Sequence, residues 1–259
     1  MLEAAQYDDN SFVTLTYNDD NLPADSSVSP RELTLFIKRL RKECDLKGYG
    51  RIRYFGCGEY GEKSGRPHYH LALFNYGPCL RGRTEAHRAS CCVRCDIIAR
   101  AWGQGKIDVG QLEQSSAAYV AGYVTKKWTS AKRLDERHPE FARMSLRPGI
   151  GLGMAHEIAS HLLQHKVDER MIDVPLSLQH GRAQWPLGRY LRRKLRTYIG
   201  RDANAPLESL SEAAAEMQDV RETAWNTKAS VQAEVLKRSL GKRRQIEARE
   251  RRNRKREAI

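Results

Sequence analysis

Residues 12–17 (FVTLTY) alternate apolar and polar positions and run into Asn18-Asp19-Asp20-Asn21 and Pro23. A period of two in β-branched and aromatic residues predicts a strand with a turn behind it. Ser29-Pro30-Arg31-Glu32 is a capping box with proline at the first helical position. The helix it opens carries Leu33, Phe36, Ile37, Leu40 and Cys44 on one stripe and Lys38, Arg39, Arg41 and Lys42 outside it, and Gly48 and Gly50 stop it. Residues 51–57 and 67–74 read as two strands joined by the Gly/Lys/Ser-rich loop 61–66.

Further along, 96–102 reads as a short helix closed by Gly103 and Gly105, and 106–112 as a strand. Ser115 or Ser116 caps a helix that runs to about residue 128. Residues 130–153 are loop-like and basic, 154–165 helical, 171–178 a short strand or extended segment, and 189–199 a basic amphipathic helix. Residues 207–256 contain few breakers and read as helix, acidic in the first half and basic in the second. The order β-α-β-β-α-β-α points to an α+β fold of ferredoxin-like type with helices on one face of the sheet. The organisation expected is a domain over 1–200 and a helical extension over 201–259.

Composition narrows the partners. The chain has 259 residues, 40% hydrophobic and 30% charged, with 45 Lys and Arg against 32 acids, a net charge of +13. No apolar run approaches the roughly 18 residues that cross a bilayer, and the first residues lack a secretory pattern, so a membrane partner is not expected. Residues 237–259 hold 11 basic and 3 acidic residues, +8 of the +13. Such a tail binds phosphate without reading sequence, which makes nucleic acid the expected partner. Lys242, Arg243, Arg244, Arg251 and Arg252 are the candidate DNA contacts there, with Arg66 nearer the motifs.

The chemistry concentrates in two motifs. In Arg66-Pro67-His68-Tyr69-His70, the histidines are i and i+2 of a strand and present two imidazoles on one face. Two such groups hold a divalent ion when a carboxylate joins them, and the preceding strand ends in Glu59. A bare His-x-His recurs by chance, and its bland reading is a solvated strand face. In 119–127 (YVAGYVTKK), Tyr119 and Tyr123 are i and i+4 on a helix, with Lys126 and Lys127 a turn further on. Two phenols beside lysines suit covalent attack on phosphate, and the bland reading is an aromatic stripe in a core.

Cys79, Cys91, Cys92 and Cys95, with His87 among them, offer enough ligands for a tetrahedral zinc site, although the spacing matches no common zinc module. Plain buried thiols are the alternative.

Together, 12–17 (FVTLTY), 58–61 (GEYG), 66–70 (RPHYH), 119–127 and 144–151 (MSLRPGIG) resemble the replication initiators of microviruses, especially the gokushovirus type, within the HUH endonuclease superfamily. The resemblance covers about residues 1–155. It implies an HUH-type ferredoxin-like, RRM-like antiparallel sheet with helices on its faces and a helical basic C-terminal extension. It also implies a rolling-circle initiator that nicks single-stranded phage origin DNA through a 5′-phosphotyrosine and rejoins the displaced strand. Tyr119 and Tyr123 would be nucleophiles, with Lys126 or Lys127 near the phosphate. His68 and His70 would bind Mg²⁺ or Mn²⁺, with Glu59 as third ligand and Glu62 as second choice. The sequence has no P-loop, so helicase as well as DNA polymerase would come from the host, and the protein would act in the bacterial cytoplasm, phage- or prophage-encoded. The family pattern carries a Cys-rich segment before the first motif; only eleven residues precede Phe12 here, which implies a start at an internal methionine or loss of that segment. The competing readings are a non-catalytic basic nucleic-acid-binding protein and a transposase or relaxase of the same superfamily.

Overall fold

The computed structural model describes residues 1–61, 64–82, 91–126, 137–180, 183–228 and 230–238, with 123–126 described by backbone. The chain divides into two compact units, Met1–Glu157 and Ile158–Ile259. The boundary expected at residue 200 lies inside the second unit.

The first unit is built on a five-stranded sheet of β1 (Asn10–Tyr17), β2 (Arg53–Tyr60), β3 (Pro67–Phe74), β4 (Gly105–Gln111) and β5 (Phe141–Met144). The strand order is β4-β1-β3-β2-β5, and every neighbouring pair is antiparallel, as an α+β fold of ferredoxin-like type expects. Alternation sorts the side chains. Val13, Leu15 and Tyr17 of β1, Tyr69, Leu71 and Leu73 of β3, and Ile107 and Val109 of β4 all join one buried core.

Helices α1 (Pro30–Leu46) and α2 (Val93–Trp102) cover that face. Ser29 caps α1 by accepting the Glu32 N–H at 3.4 Å, a contact worth about 1 kcal/mol. The stripe Leu33, Phe36, Ile37, Leu40 and Cys44 is buried, as its spacing predicts. Truncating Phe36 to alanine removes a fully buried ring and costs about 3–5 kcal/mol. Gly103 ends α2 in the left-handed region at φ +67°, donating its N–H to the Ala99 carbonyl.

Helix α3 (Gln114–Lys126) lies on the opposite face, where Val120 packs with Cys57, Phe12 and Phe55. Element order alone suggested helices on one face; they occupy both. The reason is that β4, at the sheet edge, delivers the chain to the far side, where Phe12, Phe55, Ala72 and Phe74 leave an apolar floor.

Strand β5 falls inside the 130–153 stretch that reads as loop. It pairs with the edge of β2 by setting Phe141 opposite Gly58. A Cβ on Gly58 would stand 2.6 Å from the Phe141 ring, so only glycine lets the ring lie on the strand.

The second unit holds α4 (Leu152–Gln164) from Ile158 onward, a hairpin of β6 (Ser177–His180) and β7 (Ala183–Pro186), α5 (Arg189–Tyr198) and α6 (Leu207–Asn226). The hairpin exceeds the single extended segment expected at 171–178. The helix expected over 207–256 is interrupted after Asn226, where Lys228 takes φ +52°, and resumes over 231–238. Arg196 clamps Asp173 with two parallel bonds of 2.7 Å, and both side chains are buried. That hydrogen bond holds the Asp173 carboxyl below its ordinary range. Among the described residues no helix is long and apolar enough to cross a membrane.

Candidate active site

Strand register assembles the site. Thr16, His68 and Glu59 stand in one row across β1, β3 and β2, and Thr14, His70 and Cys57 stand in the next. Directly opposed residues share a sheet face, so the two imidazoles and the carboxylate turn to the side away from the aromatic core.

One oxygen is the focus. Glu59 Oε1 lies 2.9 Å from His68 Nε2 and 2.9 Å from His70 Nε2, and it accepts the Tyr119 hydroxyl at 2.9 Å. Burial by itself pushes the Glu59 carboxyl up, but the bonds from His68, His70 and Tyr119 together bring it down to about 2. The carboxylate is therefore ionised throughout the neutral range.

The far side of each ring is held as well. His68 Nδ1 meets the Arg66 carbonyl at 3.1 Å, and His70 Nδ1 meets Thr14 Oγ1 at 2.9 Å. A carbonyl only accepts, so His68 Nδ1 carries a proton, and its Nε2 donates to Glu59 in the metal-free state. Burial pulls that imidazole down, yet the bonds to Glu59 and to the Arg66 carbonyl outweigh it and raise it above its ordinary value. His70 is stacked on Phe12 with ring centres 5.4 Å apart and meets Tyr119 edge-on at 5.3 Å. Both rings are thus fixed before any ligand arrives.

The donor set fits a divalent cation. Glu59, His68 and His70 offer one carboxylate oxygen and two imidazole nitrogens, all within 4.8 Å of one another. Two histidines and one carboxylate with open positions are a donor set for a divalent ion that also binds substrate. Outer hydrogen bonds of the kind made by Arg66 and Thr14 set which nitrogen faces the ion.

Tyr119 is 47% exposed, so its hydroxyl touches the ligand cluster while its ring remains open to solvent. Tyr17 and Tyr69 are the opposite case. Both are buried, share a 2.9 Å hydrogen bond, and have phenols pushed up by burial, which leaves them poor nucleophiles. Tyr123 and Lys126 follow Tyr119 along α3; Lys127 and Glu62 lie outside the described residues. Arg66 sits one residue before β3, donating to the Tyr17 carbonyl at 3.1 Å and pairing with Asp19 at 2.7 Å. The tail positions Lys242, Arg243, Arg244, Arg251 and Arg252 also lie outside the described residues.

Residue-type reasoning passed over Thr14 and Phe12. Their signal was parity: both share the outward face of β1 with Thr16, a threonine-rich face on a strand otherwise aliphatic.

The cysteines gather elsewhere. Cys79, Cys91, Cys92 and Cys95 bring their four sulfurs within 4.8 Å of one another beside the start of α2, and His87 lies outside the described residues.

Comparison with known proteins agrees with this layout. Residues 10–128, which hold the three ligands and both tyrosines, match the family model of replication-associated proteins of the ORF2 type. The chain is 37% identical over 149 residues to replication-associated protein ORF2 of Spiroplasma virus 4, covering 55% of this chain and 46% of that protein. It is 32% identical over 155 residues to replication-associated protein VP4 of Bdellovibrio phage phiMH2K, covering 58% and 49%. It is 28% identical over 212 residues to replication-associated protein ORF4 of Chlamydia phage 1, covering 80% and 51%. The chain spans about half the length of these curated relatives. No solved structure matches it. Through residues 10–128, the chain belongs to the replication-associated protein family of microviruses.

Proposed function

We propose that this protein initiates rolling-circle replication of a phage genome as a metal-dependent HUH endonuclease and strand transferase. The observation that carries the reading is the Tyr119 hydroxyl on the same Glu59 oxygen that meets both histidines. A nucleophile and a cation site then share one point on an open sheet face.

The substrate is single-stranded origin DNA. The Tyr119 oxygen bonds to the scissile phosphorus, and the bond to the 3′ oxygen breaks. Tyrosine gives up its proton, and the 3′ oxygen leaves as a hydroxyl that primes synthesis. The phosphodiester energy is kept in a 5′-phosphotyrosine. Bound Mg²⁺ or Mn²⁺ would polarise the phosphate and offset charge on its oxygens. Glu59 orients the phenol, His68 and His70 hold the ion, and Lys126 and Lys127 stand ready for phosphate charge. Tyr123, one helical turn from Tyr119, cuts the regenerated origin; the released 3′ hydroxyl then attacks the first phosphotyrosine and closes the circle. Arg66 and the basic tail hold backbone phosphates without reading sequence. The absence of a P-loop motif makes a host helicase and a host polymerase the partners, with the bacterial cytoplasm as the place of action.

The test is to incubate the full chain with tiled single-stranded oligonucleotides of the phage genome and Mn²⁺, then map covalent adducts by peptide mass spectrometry. One oligonucleotide should yield an EDTA-sensitive adduct on Tyr119 or Tyr123. Each single Tyr→Phe variant should keep one adduct, and the double variant should form none. An adduct on Tyr17 or Tyr69, or none across the whole genome, overturns the reading and leaves a non-catalytic DNA-binding protein.

A further inference from the structure

Four sulfurs lie outside the active site at distances that a thiol cluster rarely adopts without reason. Cys79 Sγ is 3.6 Å from Cys91 Sγ and 4.0 Å from Cys92 Sγ, and Cys92 Sγ is 3.5 Å from Cys95 Sγ. A disulfide would need about 2.05 Å, so these are separate thiols. A tetrahedral ion with Zn–S bonds of ~2.3 Å separates its ligands by about 3.8 Å, and the observed distances bracket that edge.

Three of the four cysteines are buried and Cys92 is half-buried, which leaves no open position for substrate. The backbone supplies the rest. The Cys79 N–H donates to the Val109 carbonyl of β4 at 3.1 Å. Cys92 is the N-cap residue of α2 and Cys95 lies in its first turn, where the positive end of the helix dipole favours thiolate. Soft sulfur donors in a closed set of four select zinc over Mg²⁺ or Mn²⁺.

We propose that Cys79, Cys91, Cys92 and Cys95 bind one Zn²⁺ as a structural four-thiolate site. Each thiol loses its proton as the ion binds, and the ion closes the 79–95 segment onto β4 and α2. The closure reaches the catalytic strand, because α2 ends in Trp102, whose indole N–H donates to the Thr16 carbonyl of β1 at 3.1 Å. His87 is not a ligand, since sulfur alone completes the tetrahedron. The site is independent of strand cleavage and stands or falls without it.

The experiment measures metal in the full chain purified without added ions, and repeats the measurement after exchange into Co²⁺. About one zinc per chain is expected, and Co²⁺ should give the thiolate charge-transfer and tetrahedral ligand-field bands of a four-sulfur site. His87→Ala and the His68→Ala/His70→Ala double variant should keep the zinc; Cys79→Ser and Cys95→Ser should lose it. If the cysteine variants fail to fold, the wild-type cobalt spectrum and thiol protection against alkylation still decide. Wild-type protein without zinc or cobalt bands and with four freely alkylated thiols overturns the proposal. Loss of zinc in His87→Ala overturns the four-sulfur assignment, and loss only in the His68/His70 variant moves the zinc to the other cluster. None of these readouts involves DNA, so they cannot be confused with failure of the cleavage reading.

Discussion

The Glu59–His68–His70 cluster and the Cys79–Cys91–Cys92–Cys95 cluster belong to one folding unit, yet they are built by opposite means. The first takes its donors from two adjacent strands in register, so its geometry follows from the sheet. The second takes them from a loop and the first turn of α2, so its geometry depends on what joins them. The first mixes oxygen and nitrogen and meets an exposed tyrosine; the second is all sulfur and largely buried. The difference teaches where chemistry and where stability are expected to respond. A frame that exists without its ion can exchange that ion and host a reaction, whereas a frame that needs its ion is part of the fold.

That contrast breaks most visibly at the histidines. His68→Ala or His70→Ala removes a direct ligand and should lower nicking by about 100-fold or more, beyond what loss of an outer contact costs. Circular dichroism should show the fold retained. Equal loss of structure would mean that the strand frame is not self-sufficient. The next largest effect belongs to Cys95→Ser, which should cost about 3 kcal/mol and lower the thermal midpoint by about 6–12 °C. If nicking fell as steeply as in the histidine variants while the midpoint stayed, the division of labour would be wrong.

Thr14→Val gives a finer cut, since it removes only the hydroxyl at His70 Nδ1. Mn²⁺ affinity should fall about 10-fold, with the thermal midpoint almost unchanged, as read by calorimetric titration and melting. The smallest effect is in pH. Glu59 titrates near 2 in the fold against an ordinary value of 4.5, so its contribution to stability is present above 4.5 and is lost as pH falls toward 2. His68 is raised, so its contribution is present below its ordinary 6.5 and is lost as pH rises through its folded value. Chelated protein should therefore lose a little stability above neutrality, and His68→Ala should flatten that slope in denaturant titrations at each pH.

Much of the site was legible because strands carry their own parity. His-x-His at 68 and 70 had to share a face, and the short loop 61–66 had to fold β2 back on β3, which sets Glu59 opposite His68. Helix α1 was legible from its cap and stripe for the same local reason. What stayed hidden depends on distant partners. Phe141–Met144 has too few residues for a period, and its pairing depends on glycine at 58. The side of the sheet taken by α3 depends on which floor is apolar, and the break after Asn226 has no glycine or proline to announce it. The role of Thr14 required the register of β1 on β3, which no local pattern supplies.

Arg53 of β2 is buried against Glu3, and its guanidinium also donates to the Pro148 carbonyl at 2.9 Å and the Gly149 carbonyl at 3.1 Å. Glu3 in turn accepts the Gly151 N–H, 148 positions along the chain. Expression engineers would meet this arrangement before enzymologists do. Trimming Glu3, or crowding it with a fused tag, would leave a buried guanidinium without its counter-charge, a defect of about 3–5 kcal/mol. It would also loosen the 144–151 segment, so a purification handle is better placed after residue 259.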